Sequence, residues 1–147
     1  MSDTKLYILL IIGIWIGMLL GLSFLEAPLK FTAPNMTTKL GLGIGRIMFH
    51  VLNKAEIAFS LLLIILYTTS ARNQFSTNSL FIYGVLATIV IVQSFWLLPV
   101  LDLRADRVLN NLPNPDSHLH LVYVCCEIVK LILLFLLFKL VFQHERY

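Results

Sequence analysis

Four apolar runs, each near the ~20 residues that a membrane-spanning helix needs, restrict this chain more than any motif in it. They fall at about 5–25, 46–69, 79–98 and 118–142. Inside a bilayer every backbone N–H and C=O must find its partner within a helix or a closed barrel. Runs of this length therefore predict an all-α fold, a bundle of four transmembrane helices. Composition agrees: 59% of the 147 residues are hydrophobic and 13% are charged, where a soluble domain carries about 25%. The length fits one transmembrane domain over 1–147 and leaves no room for a soluble one.

The first run is too long for the ~7–15-residue core of a cleaved signal and is read as a retained helix. Glu26-Ala27-Pro28 is expected to end it. Gly13, Gly17 and Gly21, at spacing four, make a small-residue face that lets a neighbouring helix approach closely. That neighbour is expected in the same bundle, with a homo-oligomer or another membrane protein as the alternative. The stretch 26–45, with Pro28, Pro34, Gly41, Gly43 and Gly45, reads as a flexible connection. Pro99 is expected to kink or end the third helix. Residues 100–111, with Asp102, Arg104, Asp106 and Arg107 among leucines and valines, then form a short amphipathic helix at the membrane surface. Asp116 or Ser117 is placed to cap the fourth helix.

Four spans put both termini on one side. Lys30, Lys39, Arg46, Arg104 and Arg107 lie on the loop side, against Lys5, Arg72, Lys139 and Arg146 on the other. The positive-inside rule thus leans toward external termini by a single charge and leaves the orientation open. With a net charge of +3 and no basic run, nucleic acid is not an expected partner. The adjacent Cys125 and Cys126 fit neither a disulfide framework nor a CxxC pair and read as small buried hydrophobes.

The informative residues are the polar ones inside the apolar runs. A charge at the centre of a membrane helix costs roughly 3 kcal/mol or more and survives with a partner or a role. On the second helix Arg46, His50, Asn53, Glu56 and Ser60 recur at helical spacing, with Lys54 at the edge of the stripe. On the fourth, His120, Tyr123, Glu127 and Lys130 do the same. At 1.5 Å per residue Glu56 lies about 15 Å below Arg46, Glu127 about 14 Å below His118, and Gln93 about 14 Å from Asp102. All three approach one depth. Asn53, Lys54, Glu56, Gln93, Glu127 and Lys130, with Trp96 one turn from Gln93 as a wall, are thus the expected ligand or proton site. The same charges can instead be ion pairs that set helix register.

The histidines offer another chemistry. His118 and His120 diverge by about 200° on a helix, so His50 with His120 is the better pair for haem iron or a metal. No closed metal-ligand spacing occurs, and no nucleophile–base spacing marks an enzyme.

Gly21-Leu-Ser-Phe-Leu-Glu26-Ala-Pro28-Leu-Lys30-Phe, Gly41-Leu-Gly-Ile-Gly-Arg46 and Asn53-Lys54-Ala-Glu56 resemble a group of small four-helix bacterial integral membrane proteins. Gln93-Ser-Phe-Trp96-Leu-Leu-Pro99-Val-Leu-Asp102 and the segment from His118 through Glu127-Ile-Val-Lys130 extend the resemblance over most of the chain. It implies a bacterial inner membrane and no particular activity. Three functions are consistent with these residues: binding or passage of a small polar ligand, ion or proton; a haem or quinone redox protein; and a scaffold recognised through the first helix.

Overall fold

The computed structural model describes residues 3–70, 75–113 and 118–143. Four helices make up nearly all of them: α1 Asp3–Thr32, α2 Thr38–Thr69, α3 Thr77–Leu109 and α4 Leu119–Gln143. Each is long and apolar enough to cross a membrane, as the four apolar runs predict. Neighbours in sequence are neighbours in space: α1 packs on α2, α2 on α3, α3 on α4, and α4 back on α1. Helices α2 and α4 therefore face each other across the diagonal.

The buried faces follow alternating steps of three and four residues. On α1 the inner face is Ile8, Ile12, Trp15 and Leu19; on α3 it is Tyr83, Leu86, Val90, Gln93 and Leu97. On α4 it is Tyr123, Glu127, Lys130, Leu134, Leu137 and Val141. This spacing sets side chains of one helix between those of the next at a shallow crossing angle. The half of the bundle nearer the termini closes with hydrocarbon, including Ile8, Ile12, Leu63, Leu86, Leu134 and Leu137.

Two prolines act differently from expectation. Pro28 does not end α1, which continues to Thr32, and Pro99 does not end α3, which continues to Leu109. A proline ring inside a helix clashes with the carbonyl four residues back. Here each clash falls inside a wide, π-helical stretch, Leu19–Glu26 before Pro28 and Gln93–Leu97 before Pro99. In the second stretch the Leu98 N–H donates to the Gln93 carbonyl, an i→i−5 bond. The amphipathic segment 100–111 is therefore not a separate surface helix; residues up to Leu109 are the last three turns of α3.

The glycines also change roles. Gly41 and Gly45 belong to α2 rather than to a flexible linker, and both are buried. A methyl group at Gly41 would lie 2.3 Å from the Phe31 ring, and one at Gly45 would lie 2.9 Å from Lys30 Nζ. These two glycines are where the end of α1 folds onto the start of α2. Among the described residues, no atom of another helix lies within 4 Å of where a methyl group would stand at Gly13, Gly17 or Gly21, so the expected intramolecular packing through that stripe is not seen there. The buried α1 face carries Trp15 instead. Cys125 is exposed and Cys126 half-buried, and both are free thiols, so neither is a buried core residue.

Caps and turns complete the frame. Thr37 Oγ1 accepts from the Leu40 N–H at the start of α2, and Ser76 Oγ accepts from the Ser79 N–H at the start of α3. Asn35 and Asn111 take left-handed backbone angles, φ 63° and 56°, at the turns that leave α1 and α3. Lys39 Nζ ties these regions together by donating to Asn111 Oδ1 at 2.6 Å. Asp116 and Ser117, the expected caps of α4, and Arg72, His144 and Arg146 lie outside the described residues.

Gly41→Leu is expected to destabilise the protein by about 1–3 kcal/mol through overpacking against Phe31. Gly43→Leu, with nothing within 4 Å, is expected to stay within about 0.5 kcal/mol. Equilibrium unfolding in mild detergent compares the two directly.

Candidate functional site

Lys130, Glu56 and Glu127 meet inside the bundle, with relative exposures of 0%, 1% and 1%. Lys130 Nζ lies 2.5 Å from Glu56 Oε1 and 2.8 Å from Glu127 Oε1. The first contact spans the α2–α4 diagonal. The second joins residues three apart on α4, which face the same way. A buried charge left without such partners would cost several kcal/mol, and this geometry supplies them by charge-assisted bonds.

Every helix contributes. From α3, Gln93 Nε2 donates to Glu127 Oε1 at 2.9 Å. From α1, the Trp15 indole Nε1 donates to Glu56 Oε1 at 3.1 Å and Ser23 Oγ donates to Glu127 Oε2 at 3.3 Å. Ser23 and Gln93 both come from the π-helical stretches. Such widened turns rotate side chains out of the regular phase and recur at functional sites. The prolines thus act on the site at a distance, because they place the wide turns that present Ser23 and Gln93.

Four of the seven expected site residues meet in this cluster: Glu56, Gln93, Glu127 and Lys130. Asn53 is buried beside it but bonds to Ser94 Oγ at 2.8 Å, not to a carboxylate. Lys54 is exposed and outside the cluster. Two residues from Glu56, it points about 200° away. Trp96 is 54% exposed and lies outside the cluster. In the widened turn after Gln93 the inner position passes to Leu97, which is 1% exposed.

Trp15 and Ser23 were not expected. Reading the glycine stripe as the inner face of α1 turns Trp15 outward, because Gly13 and Trp15 are two residues apart on a helix. Their signal is the spacing of Ile8, Ile12, Trp15, Leu19 and Ser23, a seam that runs down the other side of α1.

The polar stripe of α2 turns mainly toward α3. Arg46 Nε is 2.9 Å from Asp102 Oδ1 and its Nη1 is 2.5 Å from Asp106 Oδ1. His50 Nε2 is 2.8 Å from Asp102 Oδ2, and Ser60 bonds with the Tyr83 hydroxyl. His120 sits instead against the Phe49 ring at 6.3 Å. The two histidines proposed as a haem or metal pair therefore have different partners. Among the described residues, no group of three or more His, Cys, Asp or Glu side chains is placed to hold a metal ion.

Above the cluster, at the end of the bundle away from the termini, lies a cavity of about 380 Å³, within the usual range for ligand pockets. Three helices wall the space, and α4 contributes only His120 to its lining. The walls are largely apolar, with Lys30, Arg46, Arg104 and Asp102 as their charged members. A smaller cavity of about 40 Å³ shares Ala27, Phe49 and His120 with the large one and reaches Ser23 and Glu127.

No family model, curated protein or solved structure matches the chain.

Lys130→Met leaves two carboxylates buried together and is expected to cost about 3–5 kcal/mol. Adding Glu56→Gln and Glu127→Gln to it should recover most of that loss. Trp15→Phe, which removes one donor to a carboxylate, should cost about 1.5–3 kcal/mol. Lys54→Met and Trp96→Leu should each stay within about 0.5 kcal/mol. Unfolding midpoints of these variants in detergent check the ranking.

Proposed function

We propose that this is an integral membrane protein, of the bacterial inner membrane, that binds and passes a proton or small cation at the Glu56–Lys130–Glu127 cluster. The observation that carries the reading is an imbalance at the cluster. Two carboxylates share one ammonium, so with all three ionised the trio is one positive charge short. Gln93 Oε1 is buried there and has no hydrogen-bond donor among the described residues. A buried acceptor left unmet costs about 1–3 kcal/mol, and an uncompensated buried charge costs more. Both deficits are met by the same guest, one that brings positive charge or a donated hydrogen.

The depth of the cluster supports this reading. Glu56, Gln93 and Glu127 lie well inside three spans, where intramembrane ionisable groups mark ion paths and proton relays. The pairing also sets helix register, and the two roles coexist, since a site that must hold a guest also needs fixed walls.

The test is flux into vesicles that hold the purified protein and a trapped pH- or cation-sensitive dye. Protein-dependent flux of protons, sodium or potassium should fall by about tenfold or more in Glu127→Gln and in Glu56→Gln, with folded yield retained. Flux no greater than in protein-free vesicles, or undiminished in both variants, would leave the cluster as a register device.

A second reading concerns assembly. The stripe of Gly13, Gly17 and Gly21 is open on the outside of α1, where a helix of a second copy or of another membrane protein can pack closely. Gly17→Leu should then abolish a complex detected by cross-linking in membranes; an unchanged complex assigns its interface elsewhere.

A further inference from the structure

We infer that the guest of the buried cluster is a proton, that it enters from the large cavity on one side only, and that Phe49 is the gate. This rests on the proposed function above and goes beyond it in naming the guest, the side and the gating residue.

The route follows from two cavities and the residues they share. The large one opens at the loop end of the bundle, and the small one ends at Glu127. Ala27, Phe49 and His120 line both. The half-buried Phe49 ring lies 6.3 Å from the His120 ring and 4.6 Å from the Tyr123 ring. Of the three shared residues it is the one that α2 contributes, and its ring is the largest side chain where the wide space meets the narrow one. Beyond the cluster, the described residues of the half toward the termini pack as hydrocarbon, with Ile12, Leu63, Leu86, Leu134 and Leu137 fully buried.

Size and charge select the guest. The narrow cavity holds about 40 Å³, on the scale of the ~30 Å³ that one water takes in the liquid. A metal cation would have to shed its hydration shell to enter, whereas a proton needs only a water and an acceptor. The carboxylates near the mouth are already held in ion pairs, Glu26 with Lys30 and Asp102 and Asp106 with Arg46, so a metal cation meets no free carboxylate there. A proton can instead pass by exchange at an imidazole. His120 is the group placed for that step. It borders the Lys30, Arg46, Asp102 and Arg104 side chains above and shares the narrow cavity with Tyr123 and Glu127 below. Glu127 is seven residues on along α4, on the same face and about 10.5 Å further in.

Cysteine accessibility tests the route independently of flux. In a Cys125→Ser/Cys126→Ser background, Val108→Cys marks the large cavity, Val124→Cys the narrow one and Leu134→Cys the apolar half. Membrane-impermeant methanethiosulfonates should modify Val108→Cys and Val124→Cys from one face only and leave Leu134→Cys untouched. Phe49→Ala should raise the rate at Val124→Cys by about tenfold, equivalent to about 1.4 kcal/mol of gate opening, with no change at Val108→Cys. Phe49→Trp should lower it. His120→Phe should cut proton flux by about tenfold and leave labelling unchanged. Rates at Val124→Cys that ignore both Phe49 variants, or labelling from both faces, overturn the route. Sodium flux equal to proton flux overturns the choice of guest. Flux that ignores Glu127→Gln while labelling follows the expected pattern overturns the proposed function instead and leaves the gated cavity standing.

Discussion

The Lys130 ammonium, held between Glu56 and Glu127, is the interaction on which the rest of this bundle depends. It is the one described contact that ties α2 to α4 across the diagonal with opposite charges. Between helices in lipid there is little hydrophobic force, because a neighbouring helix is no more apolar than the acyl chains. Register must then come from close packing and from bonds that lipid cannot replace. Trp15 and Ser23 of α1 and Gln93 of α3 donate to the same two carboxylates, so all four helices are indexed to one point. A shift of one helix by a turn, about 5.4 Å, would break every bond it makes there.

Two further constraints give the molecule its polarity from end to end. Proline rings at positions 28 and 99 force wide turns just upstream, and these turns carry Ser23 and Gln93 to the cluster. At the loop end α1, α2 and α3 wall a space to which α4 contributes only His120. The opposite half has neither device and closes with aliphatic side chains. The loop end thus carries cavities that reach Glu127, and the described residues of the other end pack as hydrocarbon.

Much of the cluster was legible in the chain. Glu56, Gln93, Glu127 and Lys130 stand out because charge and amide groups are rare inside apolar runs, and the rise per residue puts them at one depth. The errors have specific causes. Lys54 and Trp96 were included by nearness along the chain. One faces out because it is two residues from Glu56; the other faces out because a wide turn alters the phase after Gln93. Trp15 was hidden behind a plausible but wrong choice of inner face, since a glycine stripe marks close approach without saying whose helix approaches. Gly41 and Gly45 resembled a linker because glycine usually loosens a helix. Only the crossing of Phe31 and Lys30 over them gives their lack of a side chain its use.

The sequence by itself determined the number of spans, the helical class and the identity of the buried charges. Each of these follows from local quantities: run length, backbone hydrogen bonding in lipid, and the cost of a charge in hydrocarbon. The tertiary structure alone decided which groups meet. The α2–α4 diagonal, the donors from α1, the pairing of His50 with Asp102 and the cavity above α4 depend on how four helices are rotated and staggered together. Those rotations are set by contacts between residues more than 100 positions apart, such as Ser23 with Glu127, 104 positions apart. No local pattern encodes them, because the same helical periodicity is compatible with either face turned inward until a partner helix selects one.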